Sequence, residues 1–381
     1  DFQVGYTDKE FGANSFYTLN FPLQFENTKT TFAKASAEFG NEDLNYSAKI
    51  YWRNNKDEFL LDKTNPEFYI NNNATNIYGS EFDLYLKSYL GSTSVGGEYV
   101  FDAIESSNLG EHNRKRVGVF IEQKFPEYKN LSINLSGFLY NYSMIGWKFW
   151  PGVDLGYSVS NNLLLFANFS RGFRIPTYTE LFYSSPTTLG NQYLTFEETS
   201  NYEIGAKYND SFLSASTTLF YKTGNNIIDW IQVTGEAPWQ AMNIADINTG
   251  GIELSIDLNL ATLLPNQPIN SIGVKFTHLD SDYSQPKYSS RYLLKYFRNQ
   301  AIFSLNHNLF LDIKTNWYVR YEERYNSLKN FITDFRIDKS FQNFSFFIKV
   351  TNLFNVDYYD FVGIPLPERW VTGGIRVNIF Q

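Results

Sequence analysis

The chain has 381 residues, no cysteine and a formal net charge of −8 carried without any basic block. The lack of cysteine removes disulfide frameworks, thiolate metal sites and thiol nucleophiles, and the charge balance disfavours nucleic acid as a partner. Aromatic residues make up 18% of the chain, yet its mean hydropathy is negative; strands alternating between lipid and a wet interior have that composition, and a soluble aromatic core does not. No run approaches the ~18 apolar residues of a spanning helix. No signal peptide stands at Asp1, so for an exported protein the leader is expected upstream.

Along the chain the dominant period is two, the strand signal. Leu44, Tyr46, Ala48, Ile50 and Trp52 alternate with Asn45, Ser47, Lys49, Tyr51 and Arg53. The same alternation sets Leu131, Ile133, Leu135, Gly137 and Leu139 apart, then Leu163, Leu165, Ala167 and Phe169, then Ile252, Leu254, Ile256 and Leu258. It returns in Leu311, Ile313, Thr315, Trp317 and Val319, and in Phe344, Phe346, Ile348 and Val350. The whole chain yields about eighteen candidates, near the ~9–11 residues of a tilted spanning strand.

The predicted connections alternate in length. Long ones cover 7–28, 55–74, 101–113, 141–147, 174–199, 231–246, 279–294, 322–329 and 352–368. Short ones fall at 40–43, 89–92, 126–130, 158–162, 209–211, 261–269, 305–309 and 340–343, several with turn residues such as Gly40-Asn41-Glu42-Asp43, Asn161-Asn162 and Asn209-Asp210. Outer-membrane barrels have this asymmetry, with short periplasmic turns and longer extracellular loops. If the last strand (370–380) runs down, the first (Phe2 to Tyr6) runs up, which gives an even total. The expected fold is therefore all-β: a transmembrane antiparallel β-barrel occupying residues 1–381 as one partial barrel domain.

Two stretches carry a family resemblance. The first reads Asn168-Phe169-Ser170-Arg171-Gly172-Phe173-Arg174-Ile175-Pro176-Thr177, then Glu180-Leu181, Gly190-Asn191, Leu194, Glu197-Glu198-Thr199 and Tyr202-Glu203-Ile204-Gly205. The second is Val350-Thr351-Asn352-Leu353-Phe354-Asn355 with Asp357-Tyr358-Tyr359, then Pro367-Glu368-Arg369-Trp370 and Gly373-Gly374. Together they resemble TonB-dependent outer-membrane receptors, with Phe196 standing where the family usually has Pro before Glu197. Barrels of that family have about 22 strands around a plugged lumen. The resemblance thus implies that about eighteen strands of a larger barrel are present here, with the plug and its energy-coupling segment outside this chain. Phe11-Gly12-Ala13-Asn14-Ser15-Phe16-Tyr17-Thr18 further resembles an early extracellular segment of the vitamin B12 (cobalamin) receptors.

What the resemblance implies is active uptake of a scarce nutrient across a bacterial outer membrane. The cargo is cobalamin, with a ferric siderophore, haem or a glycan as the alternatives, and a passive porin is the reading from another class. The partners it implies are the TonB energy-coupling complex acting through the plug, outer-membrane lipid with lipopolysaccharide, and optionally a surface lipoprotein. No cofactor and no catalysis are expected.

Ligand contacts are expected in the outer loops: Asn14, Ser15, Phe16 and Tyr17; Tyr69 with Asn71, Asn72 and Asn73; Trp239; Tyr283 and Tyr288; and Tyr358 and Tyr359. Aromatic faces and amides suit a large planar ligand with a polar rim. Arg174 has the lumen parity and is expected to face plug carboxylates, and Arg171 to meet lipopolysaccharide phosphates. Asp57, Glu58 and Asp62 form an acidic loop whose spacing matches no defined Ca²⁺ loop and reads as a solvated charge run. His112 (outer loop), His278 (outer strand end) and His307 (periplasmic turn) are too far apart in the pattern to share a catalytic site. Trp52, Trp147, Trp150 and Trp317 read as an interface girdle. The pairs Gly96-Gly97, Gly250-Gly251 and Gly373-Gly374 read as bends or bulges within strands.

Overall fold

The computed structural model describes residues 1–377 apart from 14–19, 234, 236, 237, 245, 283–287, 293–295, 326–328 and 360–364. The first half forms β1 (Phe2–Gly12), β2 (Phe25–Gly40), β3 (Leu44–Leu60), β4 (Ile70–Ser88), β5 (Gly91–Ser106), β6 (Gly110–Lys124), β7 (Leu131–Tyr142), β8 (Gly146–Ser158) and β9 (Leu163–Arg174). A helical turn α1 (Tyr178–Phe182) and the short strands β10 (Ser184–Ser185) and β11 (Thr188–Leu189) follow. Then come β12 (Glu197–Asn209), β13 (Leu213–Asn225), β14 (Ile228–Gln232), β15 (Trp239–Asn243), β16 (Ile247–Asn259), β17 (Ile269–Ser281) and β18 (Ser289–Ser290). The chain closes with β19 (Phe297–Asn308), β20 (Ile313–Arg324), β21 (Lys329–Ser340), β22 (Phe344–Thr351) and β23 (Trp370–Val377).

Eighteen of these strands make one antiparallel sheet in which each spanning strand pairs with its neighbours in sequence. That arrangement follows from lipid as solvent. Each backbone N–H and C=O at membrane depth must be bonded inside the protein, and a continuous ladder does this. One face carries Ile50, Val119, Ile121, Leu155, Ile204, Leu219 and Ile348, all exposed, as a lipid-facing face requires. The other carries ion pairs along the wall, among them Arg116–Glu98 (2.6 Å), Arg114–Asp102 (3.2 Å) and Arg336–Asp338 (2.6 Å), and lines the lumen.

Several predicted boundaries move. β2 to β5 run to 16–19 residues, well beyond the ~9–11 needed to span, so the wall stands above the membrane where loops were expected. The connections after β5 and β7 shrink to 107–109 and 143–145. Asn71, Asn72 and Asn73 are therefore strand residues of β4, Asp57 and Glu58 belong to β3, and His112 sits in β6. His307 ends β19 rather than forming a turn, and Leu311 leaves its predicted strand for a turn with φ 59°. The periplasmic turn after β2 is as predicted: Gly40 takes φ 122°, and Asn41 Oδ1 accepts from the amides of Asp43 and Leu44, both at 2.9 Å.

The glycine pairs are not bulges. The ladder runs without a register shift through Gly96, Gly251 and Gly374. Each instead lies directly opposite an aromatic residue, Phe120, Phe220 and Phe347, whose ring covers the missing side chain. Gly5 with Phe32, Gly79 with Tyr51, Gly118 with Tyr140 and Gly205 with Phe166 repeat the arrangement. A flat ring on the lumen wall, seated on a glycine of the next strand, pins register and admits curvature. A Cβ on Gly96 would come within 2.2 Å of the Phe120 ring, whereas one on Gly97 would meet nothing closer than 3.5 Å. Gly96→Ala is expected to destabilise the barrel by about 1–3 kcal/mol, the usual range for overpacking, and Gly97→Ala to leave it unchanged, as read by heat-shifted gel mobility. Equal behaviour of the two would remove this account of the glycines.

Candidate functional site

The outer ends of three consecutive hairpins do not hang as separate loops. β10, β11, β14, β15 and β18, contributed by the connections after β9, β13 and β17, join into a second, five-stranded sheet. Its core is Leu181, Leu194, Ile228, Trp230 and Ala241, with Phe182, Tyr183 and Trp239 packed against it. Apolar runs such as Ile228–Gln232 would be costly in a solvated loop, and burying them against α1 removes that exposure.

The signature between Arg174 and Glu197 builds the base of this platform. Arg174 donates to both oxygens of Glu180 (2.8 and 3.0 Å) and to both of Glu197 (2.9 and 2.6 Å). Glu180 also accepts from the Thr177 amide (2.7 Å), while Thr177 Oγ1 accepts from the Glu180 amide (3.1 Å), a reciprocal cap that starts α1. Glu197 reaches the next hairpin by accepting from the Ile228 amide at 2.7 Å. Gly190 lies where a Cβ would stand 2.9 Å from the α1 backbone at Leu181 and Phe182, so only glycine fits there. Leu181 and Leu194 fill the core. The guanidinium expected to face the plug is thus already engaged by two carboxylates of its own chain.

Further bonds tie the platform together and to the wall. Asn243 exchanges two bonds with Thr195 (2.8 and 3.0 Å) and donates to Asn226 O (2.7 Å). Asp229, 1% exposed, accepts from Ser290 Oγ and the Tyr292 amide, which anchors the third connection. Arg291 stacks over the Trp239 ring at 4.9 Å. Towards β5 and β6, Arg114 donates to Pro176 O (2.8 Å) and to Asp102, covers the Tyr178 ring at 4.1 Å, and Tyr178 OH also bonds Asp102. His112 stacks flat on Phe182 with centroids 3.5 Å apart. Burial raises the Tyr178 and Tyr69 phenols above their usual pKa, aided by Asp102 and Tyr183 respectively.

Of the expected contact residues, Trp239 lies within the platform, and Tyr69 reaches it through Tyr183 and Asn108. Asn71 and Asn73 are committed to the wall, accepting from Ser107 Oγ (2.8 Å) and donating to Asp57 (3.2 Å). Tyr358 and Tyr359 lie in the last connection, where the Leu366 amide donates to Tyr358 O (2.9 Å) and Tyr359 bridges to Pro365. Tyr288 adjoins β18; Asn14, Ser15, Phe16, Tyr17 and Tyr283 lie outside the described residues. Trp150 is no girdle residue: β8 and β9 part above the Gly152–Ser170 pair, and Trp150, 3% exposed, stacks on Phe173 at 3.8 Å. Asp62 turns its loop by accepting from the Thr64 amide and hydroxyl (2.8 and 2.6 Å). Among the described residues no group of three His, Asp or Glu is placed to hold a metal ion. His278 bonds Asn299 (2.7 Å) and His307 accepts from Trp317 (3.2 Å), on different strands from His112.

The five-stranded sheet is not legible in the sequence because its pairings are non-local, although the apolar run Ile227-Ile228 with Trp230-Ile231 is a signal against a plain loop. Replacing Arg174 by Met would leave Glu180 and Glu197 facing each other without a cation. At this partly solvated site the expected loss is about 1–3 kcal/mol. Limited proteolysis should then cut within 175–196 and 226–246 while the barrel keeps its heat-shifted mobility. Unchanged resistance would show that Arg174 does not clamp the platform.

Comparison with known proteins accords with this architecture. Residues 4–353 match the family described as TonB dependent receptor-like, beta-barrel. A segment of 148 residues, 38% of this chain, is 26% identical to the vitamin B12 transporter BtuB of Photobacterium profundum and covers 24% of it. Among solved structures, the siderophore receptor PirA of Pseudomonas aeruginosa superposes with TM-score 0.74 at 14% identity over 98% of this chain and 66% of its own. The hemophore receptor HasR of Serratia marcescens, a double mutant solved with its hemophore HasA and heme, gives 0.76 at 15% identity over 98% and 68%. The chain therefore spans about two thirds of these solved receptors and belongs to the TonB-dependent receptor family, as part of its outer-membrane β-barrel.

Proposed function

We propose that this chain is the barrel wall and outer capture surface of a receptor that actively imports a scarce nutrient, with cobalamin as its cargo. The observation that carries the reading is the platform itself, in which three outer connections are fused over the lumen side of the wall by Arg174, Glu197 and Asp229. A passive pore has no need of a rigid aromatic surface at its mouth, whereas a high-affinity receptor gains by holding its contacts preformed. Trp239, Tyr69 and the wall around Asn72 supply ring faces and amides for a corrin, and Asn14, Ser15, Phe16 and Tyr17 are proposed as further contacts on their sequence alone. The 26% identity to a B12 transporter and the segment Phe11–Thr18 support cobalamin. A ferric siderophore is the competing cargo, since the siderophore receptor PirA shares the fold. Import would be energised through a plug acted on by TonB, with chemistry limited to binding and release.

Titration calorimetry on the receptor carrying this chain, purified in detergent, checks the proposal. Saturable nanomolar binding of cobalamin, with none of a ferric catecholate, is expected, and Trp239→Ala should weaken it about tenfold or more, as loss of a buried aromatic anchor does. Binding of the ferric chelate alone would reassign the cargo, and binding of neither by heat-shifted protein would remove both.

A further inference from the structure

The lumen face of β6 and β7 carries three rings laid side by side. Tyr140 and Phe138 on β7 have centroids 6.4 Å apart and planes only 5° apart. That separation is about the distance between alternate residues of a strand. Phe120, opposite Phe138 on β6, continues the strip at 5.7 Å and 29°. The register explains why the rings lie flat. Gly118 stands opposite Tyr140 and Gly96 opposite Phe120, and a Cβ on either would come within 2.2 Å of the ring. Each ring therefore lies down across a glycine and turns one face to the lumen. Phe138, almost in the Tyr140 plane and 39% exposed, shares that surface.

The strip lies at the outer end of the wall, since β7 ends at Tyr142, two residues beyond Tyr140. Above it a cavity of about 170 Å³, lined by Arg114, Tyr142, Ile175, Pro176 and Leu194 among others, makes the strip continuous with the platform. Trp150 and Phe173 back Tyr140 at 6.5 and 6.1 Å and hold it in place. A sugar would need partners for its hydroxyls, and here the flanking polar groups are engaged. Arg116 pairs with Glu98 at 2.6 Å, the Tyr140 and Tyr142 hydroxyls bond Glu98 and Arg116, and the Lys148 amine covers the Phe196 ring at 4.4 Å. What the strip has left to offer is ring face, held ready before any ligand arrives.

We infer that Phe120, Phe138 and Tyr140 form a wall-mounted subsite that takes a flat aromatic ring of the cargo face-on, beneath the platform. For cobalamin that ring is the benzimidazole base, a fused bicycle that covers two neighbouring tiles. The strip thus reads the base, while the platform and the Tyr69 wall hold the corrin. The inference rests on the proposed capture function and adds to it the part of the ligand that the wall recognises.

Calorimetry on the detergent-purified receptor, with cobalamin and with cobinamide (the corrin without its benzimidazole base), tests this. Phe138→Leu stays apolar but removes a ring face, and should leave heat-shifted mobility unchanged; if it does not, Phe138→Met takes its place. The variant should weaken cobalamin about tenfold, the usual worth of one stacked base, and leave cobinamide unchanged. Phe149→Leu, on the lipid face of β8, should alter neither. Equal loss for both ligands, or loss for neither, would overturn the inference. Should the wild type bind only a ferric catecholate, weakening of that aryl chelate by Phe138→Leu upholds the strip with another source of the ring, and unchanged affinity overturns it. Should the wild type bind no cargo at all, the capture reading falls by itself and free dimethylbenzimidazole becomes the probe. Saturation transfer from receptor to base that is lost in Phe138→Leu upholds the strip, and its absence in the wild type overturns it.

Discussion

Hydrocarbon offers no partner for a peptide N–H or C=O, and this constraint governs the molecule. The continuous ladder from β1 to β23 answers it, since each spanning strand bonds to its neighbours. The side chains are then free to differ between the two faces. The outward set becomes apolar, as at Ile50, Ile121 and Ile204, and the inward set can hold charges in water, as at Arg116 with Glu98. The negative mean hydropathy and the high aromatic content are two consequences of one wall with two solvents.

A curved wall also needs its register pinned, because a slip by one residue would exchange the two faces. Seven glycines, each opposite a ring on the adjacent strand, do this on the lumen side. Above the membrane the constraint relaxes, water can satisfy loops, and yet three connections fold into a second sheet. Its stability comes from ordinary burial around Trp230 and Ala241 and from carboxylates shared between hairpins: Glu197 serves Arg174 and Ile228, and Asp229 serves Ser290 and Tyr292. Family-signature residues that look unrelated in sequence thus have one role in space, joining a barrel strand to the platform above it.

The strands were legible because each is a local pattern of period two, and most were placed correctly, Leu131 to Leu139 and Ile252 to Leu258 among them. Their outer ends were not. Polar residues on both faces, as in Asn71-Asn72-Asn73, carry no alternation once a strand leaves the membrane, so they read as loop. The glycine–aromatic pairs depend on which residues face each other across strands, as Gly96 faces Phe120, and no single segment shows that. The platform was hidden for the same reason. The signature could be recognised at Arg174, Gly190 and Glu197, but the double clamp on Arg174 and the close approach at Gly190 emerge only from the fold. The second match is explained in the same way: Asn352, 1% exposed, takes φ 51° and bonds both ways with Val356, which makes it the pivot of the last outer connection.

The central claim is that the three outer connections form one body with the wall rather than three loops. Hydrogen exchange of the folded receptor in detergent tests it most directly, read at one amide in each connection: Thr195, Trp239 and Arg291. The account predicts that these exchange together, and orders of magnitude more slowly than an unbonded loop, because each is bonded to another connection: Thr195 to Asn243, Trp239 to Thr187 and Arg291 to Trp230. Exchange at free-loop rates, or at rates differing widely between the three connections, would contradict it.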